Sequence, residues 1–200
     1  MNMKKSDKLP KATESLADGI NWAWKNGADV ISCSWGCNDN DLIKEAIDSA
    51  LIYGRNGKGC VIVAAAGNNW DLDFPGRYRK EVLVVGNMNK YGGKYPGSGI
   101  GDNLFVMAPG DSILSTVCGD TVAYDWGSSM AAPHVSGLAA LILERNSNLT
   151  FEQVRGIIAR NATKAGPYFY DKTKEFGTWN KYFGYGLIDA YKSVINTPRN

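Results

Sequence analysis

Gly59-Cys60-Val61-Ile62-Val63-Ala64-Ala65-Ala66-Gly67-Asn68-Asn69 is an unbroken apolar run that ends in a small-residue turn. A strand with one wet face would alternate polar and apolar residues. A run without alternation predicts a parallel strand covered on both faces. Around it helical and extended patterns take turns. Helices are predicted over Glu14 to Lys25, with Leu16, Ile20 and Trp24 on one face, and over Asp41 to Tyr53, capped by Asp39 or Asn40. Strands are predicted at Val30 to Ser34, Val61 to Ala65, Val82 to Val85 and Leu104 to Ala108, and a hairpin from Ile113 to Trp126 turning at Gly119-Asp120. A long apolar helix follows from Met130 to Glu144, and Thr150 opens Phe151 to Arg160 through a Thr-x-x-Gln capping box. This alternation predicts an α/β fold of three layers, a mainly parallel sheet between helices. Ligands of such sheets bind beyond the C-terminal strand ends, where Ser34-Trp35-Gly36 and Gly67-Asn68 fall.

A second stretch points to chemistry: Gly127-Ser128-Ser129-Met130-Ala131-Ala132-Pro133-His134-Val135-Ser136-Gly137. It places a serine at a tight turn feeding the apolar helix. A hydroxyl there sits at the positive end of the helix dipole, among unpaired backbone N–H groups. Such donors steady a negative oxygen forming on a substrate carbonyl. The run resembles the nucleophile motif of the subtilisin-like serine proteases (subtilases), usually Gly-Thr-Ser-Met-Ala-x-Pro-His-Val-x-Gly. The resemblance implies that Ser129 is the nucleophile. It also implies that Asn68, at the end of Val-Ala-Ala-Ala-Gly-Asn, lends its side-chain amide to the oxyanion hole.

Three further segments agree with the family in order and spacing. Gly27 to Gly36 resembles the strand that pairs with the substrate backbone. Phe74-Pro75-Gly76-Arg77-Tyr78 with Val82 to Gly86 resembles the loop and strand beyond the oxyanion turn, and Gly184 to Ala190 the closing turn before the C-terminal helix. The resemblance implies that Ser34, Trp35 and Gly36 offer backbone groups to an extended peptide. Ala65, Ala66 and Gly67 would wall the pocket for the side chain preceding the cut. Asp39 and Asp73 are candidate carboxylates for that pocket, since an acid in a concave site favours Arg or Lys. The Ser-Trp-Gly segment with a following acid looks like the kexin/furin branch, whereas Ala-Ala-Ala-Gly-Asn looks more like bacterial subtilisins. Acids are also ordinary loop and cap residues, and Asp39 has that reading too.

A serine needs a base, and the family uses a His held by an Asp, both upstream of the segments matched here. The sequence has one histidine, His134. It lies five residues along the helix from Ser129, a rise of about 7.5 Å and a rotation of roughly 140°. It is expected to be a packing residue. The expectation is therefore the C-terminal part of a subtilase catalytic domain, incomplete at its N-terminal side and inactive alone. The alternative is a non-catalytic relic, a peptide-binding module or a subunit completing a partner.

Composition agrees with one domain over residues 1–200, with 1–10 as a flexible leader. At 200 residues and 44% hydrophobic content the chain buries a sizeable core. A net charge of +2 argues against electrostatic nucleic-acid binding, and no apolar run is long enough to span a membrane. The partners expected are a peptide or protein substrate and the N-terminal part of the protease. The first residues lack the apolar core of a signal peptide, although the family is typically secreted. Cysteines 33, 37, 60 and 118 match no metal pattern and are expected as buried reduced thiols. No cofactor is required. Calcium is a structural option, because it commonly stabilises the family through upstream residues, and the Asp71/Asp73 loop offers carboxylates.

Overall fold

A computed structural model describes residues 9–200, with side chains from residue 13 onward. Residues 1–8 of the expected leader lie outside the described residues, while Leu9 and Pro10 open helix α1 (Leu9–Lys25). A proline in the first turn gives up only an N–H that has no partner there. The chain then runs through β1 (Val30–Cys33), α2 (Asp41–Gly57), β2 (Val61–Ala65), β3 (Leu83–Met88) and β4 (Leu104–Pro109). A hairpin, β5 (Ile113–Val117) and β6 (Thr121–Asp125), leads into α3 (Ser128–Arg145). After α4 (Phe151–Asn161) come a short hairpin, β7 (Lys172–Lys174) and β8 (Gly177–Trp179), and α5 (Ala190–Ile195).

Strands β1 to β4 form one parallel sheet in sequence order. Every residue of β2 and β3 is buried, as the apolar run around Val61 requires. Alternate side chains serve opposite faces. Ile62 and Ala64 join α1 and α2 through Ala17, Ile20, Ile43 and Ile47. Val61, Val63 and Ala65 meet α3 and α4 through Val135, Ile142 and Ile158. The three-layer α/β architecture is thus set by a sheet that has no wet face in its centre.

Local signals explain most boundaries. Asn40, rather than Asp39, caps α2 by accepting from the Ile43 N–H at 3.2 Å. The regular helix ends at Tyr53, because Gly54, Arg55 and Asn56 leave helical backbone where Cys60 packs against Gly54. Thr150 and Gln153 form the expected reciprocal capping box of α4. The two outer edges of the sheet differ. β4 is covered by the returning segment, with Tyr185 N–H on Phe105 O at 2.7 Å and Ile188 N–H on Met107 O at 3.0 Å. The outer edge of β1 pairs with no strand among the described residues, and Ser32 on it is exposed.

The two sides of α3 predict different mutational costs. Ile142 is fully buried against the sheet and Leu141 is 55% exposed. Ile142→Ala should destabilise by about 2–5 kcal/mol and Leu141→Ala by less than about 0.5 kcal/mol. Urea unfolding of the two variants checks this, and equal losses would contradict the packing described.

Candidate active site

The end of β2 and the start of α3 are locked by one hydroxyl. Ser128, fully buried, accepts from the Gly67 N–H at 3.0 Å and donates to Asn68 Oδ1 at 3.2 Å. Its backbone N–H also reaches Asn68 Oδ1, at 3.0 Å. A backbone N–H can only donate, so the accepting atom must be the amide oxygen. That leaves Asn68 Nδ2, the amide's donor end, turned away from Ser128 on an exposed residue beside Gly127. Gly127 precedes the helix at φ 139°, a conformation side chains resist, and no side chain caps α3. The Ser129 N–H lies in the first helical turn and has no partner among the described residues, as first-turn donors do. The helix starts at Ser128, two residues earlier than expected, so Ser129 belongs to its first turn.

Ser129 is half-buried and its carbonyl accepts from Ser34 Oγ at 2.9 Å, which fixes the end of β1 to the same turn. Trp35 is half-buried and Gly36 exposed, and their backbone N–H groups make no hydrogen bond among the described residues. Ala65, Ala66 and Gly67 are buried at the end of the neighbouring strand. The structure therefore brings Ser129, Asn68, Ser34, Trp35, Gly36 and Ala65 to Gly67 to one end of the sheet. Ser129 also lines an open concavity of about 430 Å³ with Ile113, Ser115, Val117, Met130 and His134. The expectation that His134 is a packing residue fails. It is exposed, and its Nδ1 donates to Met130 O at 3.0 Å, because its side of α3 faces the concavity rather than the sheet. No hydrogen bond joins it to Ser129.

The two acids part company. Asp39 is exposed and ion-paired with Arg77, which holds that guanidinium's pKa above its usual range. Asp73 lies half-buried against Gly36 and Gly67.

The profile of the Subtilase family (peptidase S8) matches residues 2–186. The chain belongs to this family. It is 38% identical to subtilisin DY of Bacillus licheniformis over 183 residues, which is 88% of this chain and 60% of that protein. It is 34% identical to a calcium-dependent protease of Trichormus variabilis over 227 residues, 91% of this chain and 34% of that one. Its fold is similar to that of the prenylagaramide maturation protease PagA, with a TM-score of 0.74 and 24% identity over 92% of this chain and 68% of that one. This subtilase chain thus spans between about a third and three fifths of the curated relatives just described.

Among the described residues no three His, Cys, Asp or Glu side chains gather. The Asp71/Asp73 loop supplies two carboxylates, short of such a gathering. No helix among the described residues is long and apolar enough to cross a membrane. All four cysteines are free, as expected, but only Cys33 and Cys60 are buried; Cys37 is half-buried and Cys118 sits exposed at the hairpin turn. Sequence reasoning passed over Ser128 as a site residue. The signal was present, since Ser128 stands where the family motif carries threonine, and both side chains offer a hydroxyl.

Removing that hydroxyl orphans a buried donor. Ser128→Ala should destabilise by about 1–3 kcal/mol and Ser128→Thr by less, read as the urea midpoint. The Cys33 thiol is pushed up to about 12 by burial, against about 8.5 in an unfolded chain. Between those values only the unfolded chain releases this proton, so the stability Cys33 contributes is whole below the lower value and falls as pH rises toward the upper. At pH 8 a disulfide reagent should label Cys118 in the native protein and Cys33 only after unfolding. Fast native labelling of Cys33 would contradict this burial.

Proposed function

We propose that this chain is the C-terminal, nucleophile-bearing part of the catalytic domain of a subtilisin-like serine endopeptidase, folded as one domain. The supporting observation is the Ser128 clamp. It turns the Asn68 amide so that its donor end is free next to a helix start whose own Ser129 N–H is unpaired. In this reading Ser129 Oγ attacks a peptide carbonyl, and the oxygen of the tetrahedral intermediate takes hydrogen bonds from Asn68 Nδ2 and the Ser129 N–H. Both donors are held in place before reaction, so they need no reorganisation as charge develops. A substrate strand would pair with the free backbone of Trp35 and Gly36.

The base and its orienter come from a segment outside this sequence. His134 does not serve, since no hydrogen bond joins it to Ser129 and five residues of helix set it about 140° around the axis from that serine. The open edge of β1, with Ser32 exposed, and the exposed Pro133, His134 and Leu141 of α3 support a docking surface for that segment. An uncovered central-type strand is a template for another strand. Calcium enters no step.

The test compares this chain with one extended upstream to include the missing acid and histidine. The extended chain should hydrolyse peptides and react with a fluorophosphonate, and Ser129→Ala should abolish both. Asn68→Ala should lower its kcat by about a hundred- to a thousandfold, a magnitude taken from subtilisin itself. The present chain alone should label orders of magnitude more slowly. Turnover that survives Ser129→Ala would overturn the assignment.

A further inference from the structure

A second concavity lies at the other end of the sheet from Ser129. The four strands run parallel, and Asn68 and Ser129 gather beyond their C-terminal ends, whereas Leu104 and Phe105 open β4 at the N-terminal ends. There Phe105, Arg155 of α4, the β7–β8 hairpin and Tyr185 of the returning segment line a cavity of about 370 Å³. Its apolar surface is aromatic. Phe105, Trp179 and Tyr185 are buried, and the Phe105 and Tyr185 rings meet edge to face at 5.3 Å. Aromatic walls with a few convergent polar groups are the usual make-up of a small-molecule site.

The polar groups of this lining are mostly donors, and several are unspent. Arg155, 3% exposed, gives Nη1 to Glu152 and Nη2 to Lys80 O at 2.6 Å, but its buried Nε–H has no acceptor among the described residues. The rings of Phe105 and Phe176 flank this guanidinium, their centres 5.2 and 5.4 Å from Cζ. The Tyr185 hydroxyl accepts from the Phe176 N–H at 3.3 Å, and its own O–H has no acceptor among the described residues. Lys174 holds its ammonium 3.4 Å from the centre of the Trp179 ring and donates to the Asp102 carbonyl, which leaves two of its three N–H groups free. Burial holds that amine below the usual lysine range. Two acids also line the cavity, Asp102 and Glu175. Pairing Arg155 with Glu152, and Asp102 with Lys172, leaves Lys80 and Lys174 against Glu175, an excess of positive charge. A donor on a buried cation that lacks an acceptor carries its full desolvation penalty, and an anion relieves it where a cation would be repelled. We propose that this cavity binds an organic anion, a carboxylate carried on an apolar or aromatic body. The carboxylate meets Lys174, Tyr185 and Arg155, and the body lies against Phe105 and Trp179. The site uses neither Ser129 nor any upstream segment, so it stands independently of the protease reading.

Titration of the full chain with 3-phenylpropionate, followed by calorimetry and by NMR, tests the site. Binding should saturate with a Kd of about 0.1–1 mM, the range open to a ligand of this size. The Arg155 Nε–H and Trp179 Nε1–H resonances should shift along the same curve. The neutral amide of the same acid should bind at least about tenfold more weakly. Lys174→Gln should weaken the acid by about tenfold and Tyr185→Phe by about threefold to tenfold, each read on protein whose urea midpoint shows it folded. Lys90→Gln, which removes an exposed charge elsewhere, should change the affinity by less than about twofold. N-acetyl-phenylalanine, run alongside, separates two sources of the same anion: tighter binding than 3-phenylpropionate assigns the site to a peptide C-terminus, weaker binding to a free small acid. Either result supports a carboxylate site. No saturable binding, equal binding of acid and amide, or an affinity untouched by Lys174→Gln overturns the proposal.

Discussion

The hydroxyl of Ser128 is the constraint on which this end of the molecule depends. It accepts from the Gly67 N–H and donates to Asn68, so the turn that follows a buried strand and the first turn of α3 cannot move independently. The bond is worth little as an isolated energy, about 1 kcal/mol. Its importance is geometric, because Ser128 is fully buried and the alternative is an orphaned backbone donor. The orientation of the Asn68 amide follows from that hydroxyl together with the Ser128 backbone N–H on the same oxygen.

Much of this was legible in the sequence because the deciding signals are local. The Val61–Ala65 strand needed only an unbroken apolar run, and the Thr150–Gln153 box only a spacing of three residues. What the sequence could not carry was contact between distant segments. Asp39 and Asn40 are equivalent as capping candidates until Arg77, far along the chain, takes Asp39 as its partner. His134 sits in an apolar helix and so reads as core, yet its side of α3 has no layer against it. The short hairpin Lys172–Trp179 gave no alternating apolar pattern; it is held by tertiary contacts such as Trp179 Nε1 donating to Leu104 O at 2.8 Å.

The sheet also accounts for a site that is well formed on one side and open on the other. The hydrogen bonds that order Asn68 and the start of α3 come from the turn after β2, from α3 itself, from Gly110 after β4 and from Ser34 after β1, all inside this chain. The β4 edge is closed by the Gly184 to Ile188 return, whereas the β1 edge is not closed by anything among the described residues. Chemistry that relies on elements from β1 through β4 can therefore be preorganised here. Chemistry that relies on a group beyond β1 cannot.

That asymmetry separates recognition from reaction in the proposed enzyme. The ends of β1 and β2 around Gly36 and Gly67, where a substrate strand is proposed to pair, are bound to the return segment by Asp73 N–H on Ala66 O and Cys37 N–H on Phe74 O. The oxyanion donors proposed at Asn68 and Ser129 are likewise internal. Only proton transfer from Ser129 requires a residue from outside, since no hydrogen bond joins the sole histidine to Ser129. A chain of this extent is thus suited to hold a substrate strand and polarise a carbonyl, while the step that makes the serine a nucleophile waits on the edge that β1 leaves open.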